Sequence, residues 1–191
     1  MRPAPYLLVF DGFADWEAAY ATAELRRSGR HPVLTVSFTG EPVVSMGGLC
    51  VLPDFDLSEL DPAVIEILIL PGGDRWETAP PDATLAALIT ALLNARTPVA
   101  AICGATVALA RDGLLVGRQH TSNSLEYLKH HAPGYGGELQ YVDALAVRDR
   151  NLITASGLGA LEFAREIFAE IGVFSDADRE AWYRIFKEGK V

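Results

Sequence analysis

The 191-residue sequence predicts an α/β protein with a mostly parallel central sheet covered by helices on both faces. Three observations predict it. Short β-rich runs alternate with amphipathic stretches along the chain. The β-rich runs are continuously apolar rather than alternating, as strands buried on both faces are. Gly and Pro punctuate their ends. With 50% hydrophobic and 21% charged residues the chain is not of the disordered class. At this length it buries roughly 70% of its unfolded surface, so one domain spanning residues 1–191 folds without a metal or a disulfide.

Tyr6–Phe10 is the first strand, ended by Asp11-Gly12. Asp15–Arg27 follows as a helix, with Trp16, Ala19, Tyr20, Ala23 and Arg27 at helical spacing and Ser28-Gly29-Arg30 as its stop. Pro32–Phe38 is the second strand. Val43-Val44, Gly47-Gly48 and Leu49–Leu52 form a hairpin off the main sheet. Val64–Leu70 is a strand running into Pro71-Gly72-Gly73. Ala83–Ala95, introduced by Pro80-Pro81-Asp82, is a helix. Pro98–Ile102 is a strand that meets Cys103, and Gly104–Arg111 a helix ending near Asp112-Gly113. Ser124–His131 is a short helix. Tyr141–Val147 and Leu152–Ala155 pair as a hairpin across Arg148–Asn151. Leu161–Ile171 and Ala177–Lys187 are the closing helices.

Sixteen Lys and Arg against 25 Asp and Glu give a formal net charge of −9. That balance speaks against nucleic acid and anionic membranes as partners. The first apolar run is too short for the apolar core of a signal peptide, and no run approaches the ~20 residues of a membrane span. The cytoplasm is the expected location. Two cysteines, Cys50 and Cys103, make neither a disulfide framework nor a four-ligand zinc site, and no motif calls for a cofactor or metal.

In parallel sheets ligands bind beyond the carboxyl ends of the strands. The residues there are Asp11 to Glu17, Pro71 to Trp76, Cys103-Gly104 and His120 to Asn123. Cys103 stands between strand and helix among small residues, the mechanical setting of a nucleophile elbow. A thiol there borders unpaired helix N–H groups that favour the thiolate; the alternative is a small buried hydrophobe. Gly72 and Gly73 either make a tight turn or aim amides at a developing oxyanion. Asp15 reads as an N-cap or as the carboxyl that meets the thiol. Glu17 reads as a complement to the helix dipole. His120 reads as a structural residue or a base. Gly72, Trp76, His120 and Asn123 are the candidate pocket lining.

These residues together resemble the ThiJ/PfpI (DJ-1/PfpI) superfamily, of the wider glutamine amidotransferase-like class. The resemblance runs through Val9-Phe10-Asp11-Gly12 with Asp15-Trp16-Glu17, and Ser45-Met46-Gly47-Gly48 before Pro53-Asp54. It continues through Leu70-Pro71-Gly72-Gly73, Ala101-Ile102-Cys103-Gly104-Ala105, and Thr154-Ala155-Ser156-Gly157 before Glu162-Phe163, covering about residues 5–172. It implies a flavodoxin-like three-layer sandwich, commonly dimeric, with Cys103 as the reactive elbow cysteine. Gly73 and Gly104 amides would form the oxyanion pocket, and an acidic residue near the first helix would contact the thiol. The sequence departs from the family in three places. Protease-like members carry His where Gly104 stands. Many members place the thiol-contacting Glu where Ala14 aligns, leaving Asp15 as the nearest substitute. Where some relatives present a His, the chain reads His120-Thr121-Ser122-Asn123. The His-x-Glu pair of glutamine amidotransferases is missing from the matching stretch.

The expected function is therefore a cofactor-free, cysteine-dependent hydrolase, hydratase or glyoxalase-like enzyme acting on a small-molecule electrophile. Cys103, Asp15, Gly73 and Gly104 would carry the chemistry. One alternative is a stress-response or redox-sensing protein whose Cys103 is oxidised; another is a protease- or amidase-like member. A homodimer is expected, with the hairpin around Val43–Val51 as its contact.

Overall fold

The computed structural model describes residues 3–29 and 32–189; Arg30 of the expected helix stop lies outside them. The main sheet has seven strands: β1 (Ala4–Leu8), β2 (Leu34–Ser37), β5 (Phe55–Asp56), β6 (Ile65–Leu70), β7 (Val99–Ile102), β8 (Ala146–Asp149) and β9 (Leu152–Ala155). Their order is β5-β2-β1-β6-β7-β9-β8. Every neighbouring pair is parallel except β8 with β9. The short β3 (Val43–Val44) and β4 (Cys50–Val51) pair separately as the expected antiparallel hairpin.

Period-two alternation explains the layers. Along β6, Leu68 and Leu70 join a core with Leu85, Ile89 and Leu92 of α3 (Ala83–Asn94). Ile67 and Ile69 point the other way, to Leu25 of α1 (Asp15–Arg27) and Phe163, Ile167 and Phe168 of α6 (Ala160–Ile171). Both faces of β6 are covered, so the strand reads as an uninterrupted apolar run. The remaining helices are α2 (Arg75–Thr78), α4 (Ala105–Arg111), α5 (Leu125–His131) and α7 (Asp176–Glu188). Trp182 of α7 packs edge-on against Phe168. None of the described helices is long and apolar enough to cross a membrane.

Two expectations shift. The first strand starts and ends two residues earlier than its apolar run, and Val9 and Phe10 beyond it are buried as well. The strand expected over Tyr141–Val147 begins at Ala146; Tyr141 makes only an isolated bridge with His120. The edge strand β5 and the one-turn α2 carry no pattern long enough to read.

Candidate active site

Four strand ends open on one edge of the sheet. Cys103 follows β7, with its N–H on the Ala155 carbonyl (2.9 Å) and its carbonyl accepting from Thr106 N–H and Oγ1 (3.1 and 2.6 Å). Its φ is +58°, a left-handed conformation that non-glycine residues rarely adopt. That is the strained turn of a nucleophile elbow. Gly104 is bare for a packing reason: a Cβ there would lie 3.1 Å from the Trp76 ring and 3.2 Å from the Gly73 carbonyl.

The carboxyl that meets the thiol is Glu17. It is 1% exposed, accepts the Gly72 N–H at 2.5 Å and is hydrogen-bonded to Cys103. Asp15 is a correction on both of its readings. Ala14 occupies the N-cap position without a side-chain cap, and the Asp15 carboxylate accepts from Ser45 Oγ (2.5 Å) and Gly47 N–H (3.2 Å), so it ties the hairpin to α1. Residues two apart on a helix point to different sides. Asp15 therefore faces the hairpin while Glu17 faces the sheet. The signal for Glu17 was present in the sequence: Glu17, Ala21, Glu24 and Leu25 lie at helical spacing and all are buried.

Asn123 supplies the second side-chain contact. Its Nδ2 donates to Cys103 Sγ at 3.3 Å while its Oδ1 accepts the Gly157 N–H at 2.9 Å. His120 does not reach the thiol, which corrects its reading as a pocket or catalytic residue. It is fully buried, with Nδ1 against the Arg118 carbonyl at 2.7 Å and Nε2 against the Tyr135 hydroxyl. Burial holds its imidazole below the usual range, so it stays neutral.

Two glycines close the pocket. A Cβ on Gly72 would come within 2.7 Å of both Cys103 Cβ and Glu17 Oε2. One on Gly157, unread as a site residue, would sit 3.0 Å from Sγ. Gly73 has φ +149°, and a Cβ would strike the Gly12 carbonyl at 2.7 Å, so only glycine fits. The Gly73 N–H has no hydrogen-bond partner among the described residues. Trp76 is buried behind the elbow, with Nε1 donating to the Pro71 carbonyl (2.7 Å) and its ring edge-on to Phe10. It buttresses the elbow at Gly104 and lines a separate cavity with Phe38 and Arg75.

Electrostatics reverse the expectation of a thiol freely ionised by its helix. Burial pushes the Cys103 thiol up, the Glu17 charge pushes it further, and the N–H groups of Asn123 and Gly104 pull back; the result is about 11. Burial also raises the Glu17 carboxyl, against the Gly72 and Cys103 hydrogen bonds. Two acids in contact titrate as a pair. The high value belongs to the loss of the second proton, when the thiol ionises beside an already charged carboxylate. Between the two ionisations the pair holds one proton and one negative charge. Among the described residues no group of three or more His, Cys, Asp or Glu side chains is placed to hold a metal ion.

Comparison with known proteins agrees with this fold. The DJ-1/PfpI family profile matches residues 5–170. The chain is 40% identical to the Bacillus subtilis protein named "Uncharacterized protease YoaZ", over 97% of this chain and 91% of that protein. It is 30% identical to "Deglycase TK1284" of Thermococcus kodakarensis, over 81% and 90% respectively. The crystal structure of a thiJ/pfpI family protein from Bacillus anthracis superposes with a TM-score of 0.90 at 41% identity, covering 100% of this chain and 92% of that one.

Proposed function

This chain belongs to the DJ-1/PfpI family, and we propose that it is a cysteine-dependent enzyme acting on small, uncharged carbonyl electrophiles, with α-oxoaldehydes as the substrate class. Relatives named as a protease and a deglycase support a hydrolase-like cysteine enzyme at the level of the family. The observation that carries the finer reading is the buried Glu17 carboxyl hydrogen-bonded to an elbow thiol held at φ +58°.

In this reading Glu17 takes the thiol proton as Sγ forms a bond to the aldehyde carbon, and the carbonyl π pair moves onto oxygen. The Gly104 and unpartnered Gly73 amides face that developing charge. The proton passes to the oxygen and gives a hemithioacetal. Glu17 then removes the hydrogen on the same carbon and returns it to the neighbouring carbon, while the hydroxyl proton passes from the first oxygen to the neighbouring one, leaving a 2-hydroxyacyl thioester. Water cleaves the thioester to a 2-hydroxy acid and restores the thiol, with no external oxidant or reductant. Two carboxylates at the site, Glu17 within and Glu77 near its rim, disfavour substrates that are themselves carboxylates. A homodimer is part of the same proposal. The hairpin β3–β4 exposes Val44, Met46 and Leu49 beside a half-exposed Trp16, an apolar patch that a second copy would cover.

The test is consumption of methylglyoxal by the wild type and by Cys103→Ala. Turnover lost in the variant supports the reading; turnover that persists unchanged in Cys103→Ala, or its absence in the wild type, overturns it.

A further inference from the structure

The carboxamide of Asn123 belongs to a chain of donors and acceptors whose direction is fixed at both ends. At one end Oδ1 accepts from the Gly157 N–H, a group that only donates, so Nδ2 must face the opposite side. There it donates to Cys103 Sγ at 3.3 Å, and the phenol of Tyr127 is near enough for this amide to ease its ionisation. The single hydrogen of that phenol goes to Glu77 Oε1 at 2.7 Å, and a carboxylate only accepts. The Gly157 amide thus sets which way the carboxamide points, and the Glu77 carboxylate sets where the phenol hydrogen goes, leaving the phenolic oxygen free to accept. Burial first, and then the Glu77 carboxylate, push the Tyr127 phenol far above its ordinary range, so it remains a neutral donor.

The far end is anchored. Arg111 of α4 donates to the Trp76 and Glu77 carbonyls at 2.8 and 3.4 Å. This ties α2, the one-turn helix carrying Glu77, to the helix that begins at the elbow. Tyr127 is half-buried on α5, its ring 4.7 Å from that of His131.

We propose that Tyr127 and Glu77 are positioning residues for the thiol: Glu77 orients the Tyr127 hydroxyl, the hydroxyl holds one N–H of Asn123, and the other N–H is thereby kept on Cys103 Sγ. A donor on sulfur favours the thiolate, and an untethered carboxamide swings away from it part of the time. The inference deepens the enzymatic reading and rests on it for the use to which the thiol is put. The chain acts on the sulfur whether or not a substrate turns over.

The experiment is the rate of Cys103 alkylation by iodoacetamide across pH, in a Cys50→Ser background. Tyr127→Phe keeps the ring and loses the acceptor; Glu77→Ala removes an exposed carboxylate and leaves the fold alone. Both are expected to move the Cys103 titration upward and to slow alkylation at fixed pH about threefold to tenfold. Glu77→Gln, whose Oε1 still accepts the phenol hydrogen, is expected to restore the wild-type profile. Adding Tyr127→Phe to Asn123→Ala is expected to change nothing further, since both act through the same amide. Profiles of Tyr127→Phe and Glu77→Ala that superimpose on the wild type overturn the proposal. So does a Tyr127→Phe effect that appears in full on the Asn123→Ala background. Should Tyr127→Phe fail to fold, Glu77→Ala and Glu77→Gln decide the question. Expected alkylation profiles in a protein that consumes no methylglyoxal would support the positioning chain and overturn the enzymatic reading.

Discussion

Gly72→Ala places a methyl group where the structure has no room for one. The added Cβ would sit 2.7 Å from Cys103 Cβ and 2.7 Å from Glu17 Oε2. Carbon atoms meet comfortably at about 3.5–4.0 Å, so the loop after β6 must retreat by roughly 0.8 Å or more. Cys103 cannot yield, because its Cβ is fixed by a left-handed backbone. Glu17 cannot yield without losing its hydrogen bond to the Gly72 N–H. Gly72 itself is outside the left-handed region, so the cost is steric. Overpacking of this kind costs about 1–3 kcal/mol, which for a chain of this size lowers Tm by about 2–12 °C. The retreat also carries the Gly73 amide away from the reacting centre. Misplacement on the order of 1 Å costs about 100-fold in rate. The assay is methylglyoxal turnover and Cys103 alkylation beside a thermal melt. A Gly72→Ala protein that melts within about 1 °C of wild type and turns over at the wild-type rate would refute the packing of this loop against the thiol–carboxyl pair.

Three further outcomes are expected. Glu17 has a raised folded-state pKa through burial, so its contribution to stability is full below its unfolded value of ~4.3 and is lost as pH rises through the folded one. Glu17→Gln should therefore melt above wild type at pH 8, with the gap closing in acid, while turnover falls about 10²–10⁴-fold; equal melting temperatures at both pH values would contradict this. For Glu162 burial works against ionisation, but the Lys187 and Tyr183 hydrogen bonds outweigh it and hold the carboxyl below its usual range. Its stabilisation is present above ~4.3 and lost as pH falls through the folded value. Lys187→Ala should cost about 1 kcal/mol at pH 7, discounted for the partly exposed lysine. In melts run from pH 7 downward that difference should vanish in acid, and one independent of pH would count against the ion pair. Light scattering should give a dimer for the wild type and a monomer for Leu49→Glu; a monomeric wild type at micromolar concentration removes the homodimer from the proposal.

The sequence by itself determined the architecture and the place of Cys103 at a strand–helix turn. The apolar runs over 64–70 and 98–102 are legible as doubly buried strands because covering both faces of a strand leaves no polar residue in it. Pro71-Gly72-Gly73 and Cys103-Gly104 are legible because a chain that must turn sharply, or approach another backbone closely, requires small residues wherever it folds. Glu17 lies on the buried stripe with Ala21 and Leu25, a different face from the Trp16, Ala19, Tyr20, Ala23 and Arg27 spacing that marks the helix in the sequence. A carboxylate two residues from Asp15 reads as dipole chemistry until the face it occupies is worked out. Tertiary structure alone decided the rest. Asn123 rather than His120 reaches the thiol because the His120 ring is held beneath the loop by Arg118 and Tyr135, contacts with no local pattern. Tyr127 and Glu77, 50 positions apart, meet only because α2 and α5 are brought together over the elbow. The ionisation of Cys103 depends on how completely the fold removes water from it and from Glu17, a property of the packed site and of no residue taken singly.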